Sequence, residues 1–83
     1  MFFAYPNPAR QRVLFSLVLE SGGRAQISLF NLSGERLALL EETLPPGVHA
    51  LPWDASAAAP GVYLARCLVD GREIGRRKIA ILK

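Results

Sequence analysis

Short stretches in which apolar and polar residues alternate are the feature that most constrains the fold of this chain. In "QRVLFSLVLE" every second residue from Val13 to Leu19 is apolar, and "RAQISLFN" continues the pattern at Ala25, Ile27 and Leu29. A period of two places alternate side chains on the same face of a β-strand. The pattern therefore predicts two strands that each bury one face.

Turn residues separate the alternating stretches. "SGG" predicts a hairpin between the first two strands, "NLSG" predicts a turn after the second, and Asp70-Gly71 predicts another hairpin near the end. Pro52 in "VHALPW" predicts that this strand lies at a sheet edge or contains an irregularity. The residues of "GERLALLEETL" also favour helix. Because that segment is short and lies between strand signals, we predict a short strand at "ERLALL" instead.

The whole pattern gives six or seven strands and no helix. It predicts an all-β fold, an immunoglobulin-like antiparallel β-sandwich, in which Trp53, Ile79 and Ile81 lie in the core. The Cys–Trp–Cys pattern of true immunoglobulin domains is absent, so the prediction concerns the architecture. With 83 residues, we expect one domain over residues 1–83, in which residues 1–10 form a proline-rich entry segment.

That entry segment contains "YPNPAR". Each proline fixes its own φ and disfavours helix at the residue before it, so the segment is stiff and extended. Proline also lacks a backbone N–H, which makes such a segment a poor template for a further strand. We expect it to protect a sheet edge and to set the angle of the domain to whatever precedes it.

Composition argues against several functional classes. Apolar residues make up 51% of the chain, which is too many for a disordered protein, and the single cysteine allows no internal disulfide. The net charge of +3 is modest, and the basic segment "GREIGRRK" has no aromatic residues among its cations, so a nucleic-acid partner is not expected. No apolar stretch approaches the roughly 20 residues of a membrane span.

No group of residues predicts catalysis, a metal site or a cofactor. His49 is the only histidine, and Cys67 lies in an apolar alternating strand where cysteine acts as a small hydrophobe. Glu41 and Glu42 are adjacent, so on a strand their carboxylates point to opposite faces. We therefore expect a protein that is not an enzyme and that uses no cofactor.

The first long strand, in "QRVLFSLVLE", and the last strand, in "RRKIAILK", are apolar on both faces, whereas the outer face of a sandwich is usually polar. Such residues indicate a surface covered by another protein, although scattered exposed apolar residues are also normal. The partner is predicted to be a protein, either a different one or a second copy. The predicted partner-binding residues, including nearby cations, are Leu14, Val18, Arg76, Lys78, Ala80, Leu82 and Lys83.

Five segments follow one pattern in one order along nearly the whole chain: "YPNPAR", "ISLFNLSGERL", "PPGVHALPWDAS", "PGVYLARCLVDG" and "RRKIAILK". This ordered set resembles the immunoglobulin-like C-terminal module of the type IX secretion sorting family. It resembles equally the related module of flagellar hook-cap proteins.

The resemblance implies a non-catalytic module at the C-terminus of a larger exported bacterial protein, secreted or held at the cell surface and often cleaved from its cargo. In the sorting family the secretion machinery recognises the folded module, and the C-terminal strand belongs to the signal. Two functions remain open. One is a sorting or attachment module, and the other is a structural building block whose copies pack through apolar sheet faces.

Overall fold

The computed structural model describes residues 1–82, and within them it contains seven β-strands and no helix. No helix in that range could therefore cross a membrane. The strands are β1 (Phe2–Tyr5), β2 (Arg12–Leu19), β3 (Gly23–Phe30), β4 (Arg36–Leu44), β5 (Gly47–Asp54), β6 (Gly61–Val69) and β7 (Arg72–Ile81).

The strands form two antiparallel sheets. One has three strands in the order β1-β2-β5, and the other has four in the order β4-β3-β6-β7. The predicted all-β sandwich is confirmed, and its arrangement is consistent with an immunoglobulin-like fold. Pro52 lies in β5, which is an edge strand as expected, since an edge position does not require the missing N–H.

The core includes the inward residues that the alternation predicted in β2, β3 and β6, and it contains no buried polar side chain within residues 1–82. It also includes Phe2, Ala9, Leu44 and Ala55, which the alternation did not predict. Trp53 is 9% exposed and meets Tyr63 edge to face, with ring centroids 6.2 Å apart. Phe2 stacks on Phe15 with centroids 5.7 Å apart. The buried residues of β2, β3, β6 and β7 are Val13, Phe15, Leu17, Leu19, Ala25, Ile27, Leu29, Tyr63, Ala65, Cys67, Ile79 and Ile81.

Two predicted turns are present. After β3, the carboxamide oxygen of Asn31 accepts hydrogen bonds from the backbone N–H groups of Ser33 and Glu35, each at 3.0 Å. Between β6 and β7, Asp70 and Gly71 have φ values of 50° and 80°. Positive φ at both central residues is what a tight hairpin turn requires, and it explains the Asp-Gly sequence.

The hairpin predicted at "SGG" is wrong. β2 pairs with β1 and β5, whereas β3 pairs with β4 and β6, so the link crosses from one sheet to the other. The alternating pattern is the same for a hairpin within one sheet and for a link between two sheets, because in both arrangements each strand turns its apolar face to the same core. The link passes close to the end of β4, where a Cβ at Gly22 would lie 2.9 Å from the carbonyl oxygen of Leu44.

Two other strands are longer than predicted. β4 extends from "ERLALL" to Leu44, which confirms strand rather than helix for this segment, and β7 begins at Arg72 directly after the turn. Both contain register shifts opposite their partners, between Leu29 and Phe30 and between Cys67 and Leu68. In β7 the shift lies near Glu73, within the part that the pattern missed, and it interrupts the strict alternation there. In β4 the shift lies at the start of the strand, whereas the additional residues 41–44 pair with β3 in regular register.

Candidate recognition surface around the C-terminal strand

β7 forms one edge of the four-stranded sheet, where it pairs with β6. Ile79 and Ile81 are each 1% exposed, which confirms that these two residues, rather than Ala80 and Leu82, fill the core. Because side chains alternate along a strand, the next residues face outward. The outward residues of β7 and its C-terminal neighbour are Arg76, Lys78, Ala80 and Leu82.

The entry segment covers the free edge of β7. The N–H of Ala9 donates to the carbonyl oxygen of Ala80 at 2.9 Å, and the N–H of Leu82 donates to the carbonyl oxygen of Ala9 at 2.8 Å. These bonds form a short parallel bridge between Ala9 and Ile81. The expected protection of a sheet edge is therefore observed at the C-terminal strand, through Asn7 and Ala9. The first part of the predicted entry segment is instead a strand, since Phe2–Tyr5 form β1 of the other sheet.

Asn7 extends this contact with its side chain. Its Nδ2 donates to the carbonyl oxygen of Lys78 at 2.9 Å, and its Oδ1 accepts from the N–H of Ala80 at 3.1 Å. The carboxamide thus replaces a backbone peptide group between two prolines, where backbone donors are lacking. Sequence reasoning missed this role, although an amide between two prolines is the signal that could have indicated it.

A groove of about 410 Å³ lies beside β7 on the outer face of the sheet. Phe30 and Leu64 are cross-strand neighbours in its lining, and Leu64 lies opposite Lys78 in the register of β6 and β7. Leu32, which is 79% exposed in the turn after β3, lines the groove as well. We refer to the outward residues Arg76, Lys78, Ala80 and Leu82, together with this groove, as the β7 surface.

Cations dominate the β7 surface. Glu73 accepts hydrogen bonds from Arg66 at 2.8 Å and from Arg76 at 2.9 Å. These guanidinium groups, Arg76 first, hold the pKa of Glu73 below its ordinary value of 4.5. Lys78 makes no ion pair within residues 1–82. One carboxylate therefore faces three cations, and the surface is positively charged beside its apolar groove.

The predicted partner-binding residues divide between two faces. Arg76, Lys78, Ala80 and Leu82 lie together on the β7 surface. Leu14 and Val18 lie instead on the outer face of the three-stranded sheet, because β2 belongs to that sheet. The structure does not bring the two sets into one site. Lys83 lies outside the described residues.

The reactive side chains have structural environments. Cys67 is fully buried, and burial raises the pKa of its thiol to about 11, so the nucleophilic thiolate is scarce at neutral pH. The Nε2 of His49 lies 2.8 Å from the carbonyl oxygen of Pro45. Within residues 1–82, no three His, Cys, Asp or Glu side chains form a group that could hold a metal ion.

Comparison with known families agrees with these features. The model of the family described as the secretion system C-terminal sorting domain matches residues 4–81, which include β2 to β7 entirely. No solved structure matches the chain.

Sorting domains of this family are non-catalytic signal modules of exported proteins that are secreted or attached to the cell surface. The match does not favour the structural building block. The chain therefore belongs to the family of C-terminal sorting domains of type IX secretion cargo.

Proposed function

We propose that the secretion machinery recognises this sorting module through the β7 surface. The supporting observation is that β7 is held from two sides while no other strand of residues 1–82 packs on its outer face. β6 and the entry segment hydrogen-bond its two edges, and Ile79 and Ile81 anchor it in the core. A partner then meets a fixed strand and loses little conformational entropy from it on binding.

The chemistry of the surface indicates the partner. Leu82 is 41% exposed and Val62, opposite Ala80, is 42% exposed, so an apolar contact can be buried there. Lys78 adds a cation that forms no ion pair among the described residues. A protein surface with an apolar centre and acidic groups at its margin is complementary to both features.

Two substitutions test this surface in an export assay. A passenger protein with a signal peptide is fused to the module in a bacterium that has type IX secretion, and Lys78→Glu is combined with Leu82→Glu. Both side chains are exposed, so the module should still fold. Loss of the apolar contact at Leu82 together with reversal of the charge at Lys78 should reduce export by about tenfold or more.

Val48→Glu is the matched control, because Val48 is 73% exposed on the opposite sheet. We expect this variant to export its passenger like the parent. Export of the double variant at the parent level, with an unchanged melting temperature, would show that recognition uses another part of the module.

A further inference from the structure

A cavity of about 820 Å³ opens at the end of the sandwich where β1 begins. Its apolar lining includes Leu19, which is 6% exposed, and Val69 and Ile74, which are partly buried against the core. The link between β2 and β3 and the turn between β6 and β7 form its rim. Met1 lines the cavity too, so any chain joined to Met1 starts beside it.

The ladder between β1 and β2 leaves its next position on β2 open. The N–H of Val18 donates to the carbonyl oxygen of Met1 at 3.1 Å, so these two residues form a hydrogen-bonded pair. Hydrogen-bonded and non-hydrogen-bonded pairs alternate in an antiparallel ladder, which makes Glu20 the next hydrogen-bonding position. Within residues 1–82, the N–H and C=O of Glu20 form no backbone hydrogen bond. An extended residue two positions before Met1 would lie opposite Glu20 and complete that pair.

The residue directly before Met1 would lie opposite Leu19. Theirs is a non-hydrogen-bonded pair, in which side chains lie closest together. Alternation turns this residue to the same face as Phe2, which is 2% exposed. On its other side Leu19 lies opposite Gly47, which has no side chain to cover it. An apolar side chain directly before Met1 would therefore pack on Leu19 and enter the cavity.

The position of the module in a cargo protein identifies the occupant. A C-terminal sorting domain follows the exported part of its cargo, so a connecting chain reaches it through Met1. That chain is covalently held at the cavity and continues the direction of an existing ladder. Its effective concentration there is in the millimolar range or higher, which favours it over a separate protein.

We infer that the last two residues of the connecting chain extend β1, and that the residue directly before Met1 fills the cavity with an apolar side chain. These two residues then belong to the folded module, and the flexible part of the connection begins upstream of them. The inference goes beyond the proposed function, because it concerns another part of the module and the cargo rather than the secretion machinery.

Two extensions of the 83-residue chain, equal in composition, test this register. Both begin with the same Gly-Ser stretch. The first has serine and then valine directly before Met1, and the second has valine and then serine. Because side chains alternate along a strand, valine faces the cavity only in the first. The first extension should melt about 4–8 °C higher than the second, as expected for one partly buried valine in a domain of this size.

Ile74→Ala tests whether the cavity is the cause. It removes an apolar partner of the valine, so it should reduce the melting difference between the two extensions to about half or less. Comparison within one background cancels the loss of stability that the substitution itself causes. Lys78→Glu is the matched control on the same strand, because Lys78 faces outward and does not line the cavity. We expect the melting difference to stay unchanged in this variant.

Amide hydrogen exchange gives a second readout in the parent background. The N–H of Glu20 should exchange at least about tenfold more slowly in the first extension than in the unextended chain, since it gains a backbone acceptor. Equal melting temperatures of the two extensions, a difference that Ile74→Ala leaves unchanged, or a Glu20 amide that exchanges as fast as in the unextended chain overturns the inference. The export test of the β7 surface has a different readout, so each test can fail without the other.

Discussion

At Asn7 a side-chain amide supplies the hydrogen bonds that a neighbouring strand would otherwise give to β7. Pro6 and Pro8 have no N–H to donate, so the backbone on either side of Asn7 could not form a regular ladder with β7. The carboxamide has both a donor and an acceptor, and it uses them on Lys78 and Ala80. One residue near the start of the chain thereby fixes the position of the last strand.

Asn7→Ala should lower the free energy of unfolding by about 1–2 kcal/mol, since two hydrogen bonds are lost at a partly solvated edge. Asn7→Asp is the control, because a carboxylate still accepts from the N–H of Ala80 but cannot donate to the carbonyl of Lys78. Urea denaturation should place it between the parent and the alanine variant. Parent-like stability of both variants would contradict this role.

Trp53 contributes to the fold through packing. Its ring is 9% exposed and lies against Tyr63. Trp53→Ala should therefore cost about 3–5 kcal/mol of unfolding free energy, and Trp53→Phe should cost less because it leaves a smaller cavity. Native parent protein should show the blue-shifted tryptophan emission of a buried indole. A fully solvent-exposed emission maximum, or an alanine variant as stable as the parent, would rule out this packing role.

At the scale of elements, the β6–β7 hairpin combines three kinds of constraint. Asp70 and Gly71 form the turn, and Tyr63 lies opposite Ile79 on the inner face. On the outer face, Glu73 accepts hydrogen bonds from Arg66 and Arg76. The inner pairs supply most of the stability, because surface ion pairs contribute little in water. The outer pairs set the charge of the β7 surface and its response to pH.

Glu73→Gln should make the protein less sensitive to acid. The pKa of Glu73 in the folded protein is lowered by Arg76 and Arg66, so its stabilising effect is present above the ordinary pKa of 4.5 and is lost as the pH falls through the lower folded value. The stability difference between parent and variant should thus be larger at about pH 7 than at about pH 3.

Glu42→Gln is the control for that titration, since Glu42 forms no ion pair within the described chain. Urea denaturation at both pH values gives the comparison. A difference between parent and Glu73→Gln that stays constant with pH would show that the contacts with the two arginines do not stabilise the fold.

Sequence alternation predicts which face of each strand is buried, because a period of two follows from strand geometry alone. It identified Phe15 and Ile27 as inward residues, and both are buried. In the last strand both faces are apolar, and side-chain size, rather than alternation, selected Ile79, which is also buried. It did not predict which sheet each strand joins, since "SGG" can either close a hairpin or cross between layers. That choice depends on long-range contacts such as the approach of Gly22 to Leu44.

The candidate site was predictable only in part. Arg76, Lys78 and Leu82 were recognised because a terminal strand that is apolar on both faces requires an explanation. The groove beside them depends on the turn at Leu32 and on the pairing of β3 with β6, which no local pattern specifies. Leu14 was grouped with them because its strand is also apolar on both faces, but the assignment of β2 to the other sheet separates it from the β7 surface.

On the scale of the whole molecule, the sandwich has two outer faces of different character. The face with β7 combines an apolar groove with cations. The face with β2 is largely apolar, with Arg12 opposite Asp54 at one end and Arg77 over the ring of Phe3. The entry segment ties the start of the chain to its C-terminal strand. A module built in this way can present its C-terminal strand as part of a folded surface, which fits a signal that is recognised after folding.

The most direct test of this account is export of a passenger that the cell otherwise leaves in the periplasm. The passenger is fused to residues 1–83 and expressed in a bacterium with type IX secretion and in an isogenic strain without it. We predict that the passenger reaches the medium or the cell surface only when both the module and the machinery are present. A passenger that stays in the periplasm of the competent strain, or that is exported equally without the machinery, would contradict the central claim that this module is a type IX sorting signal.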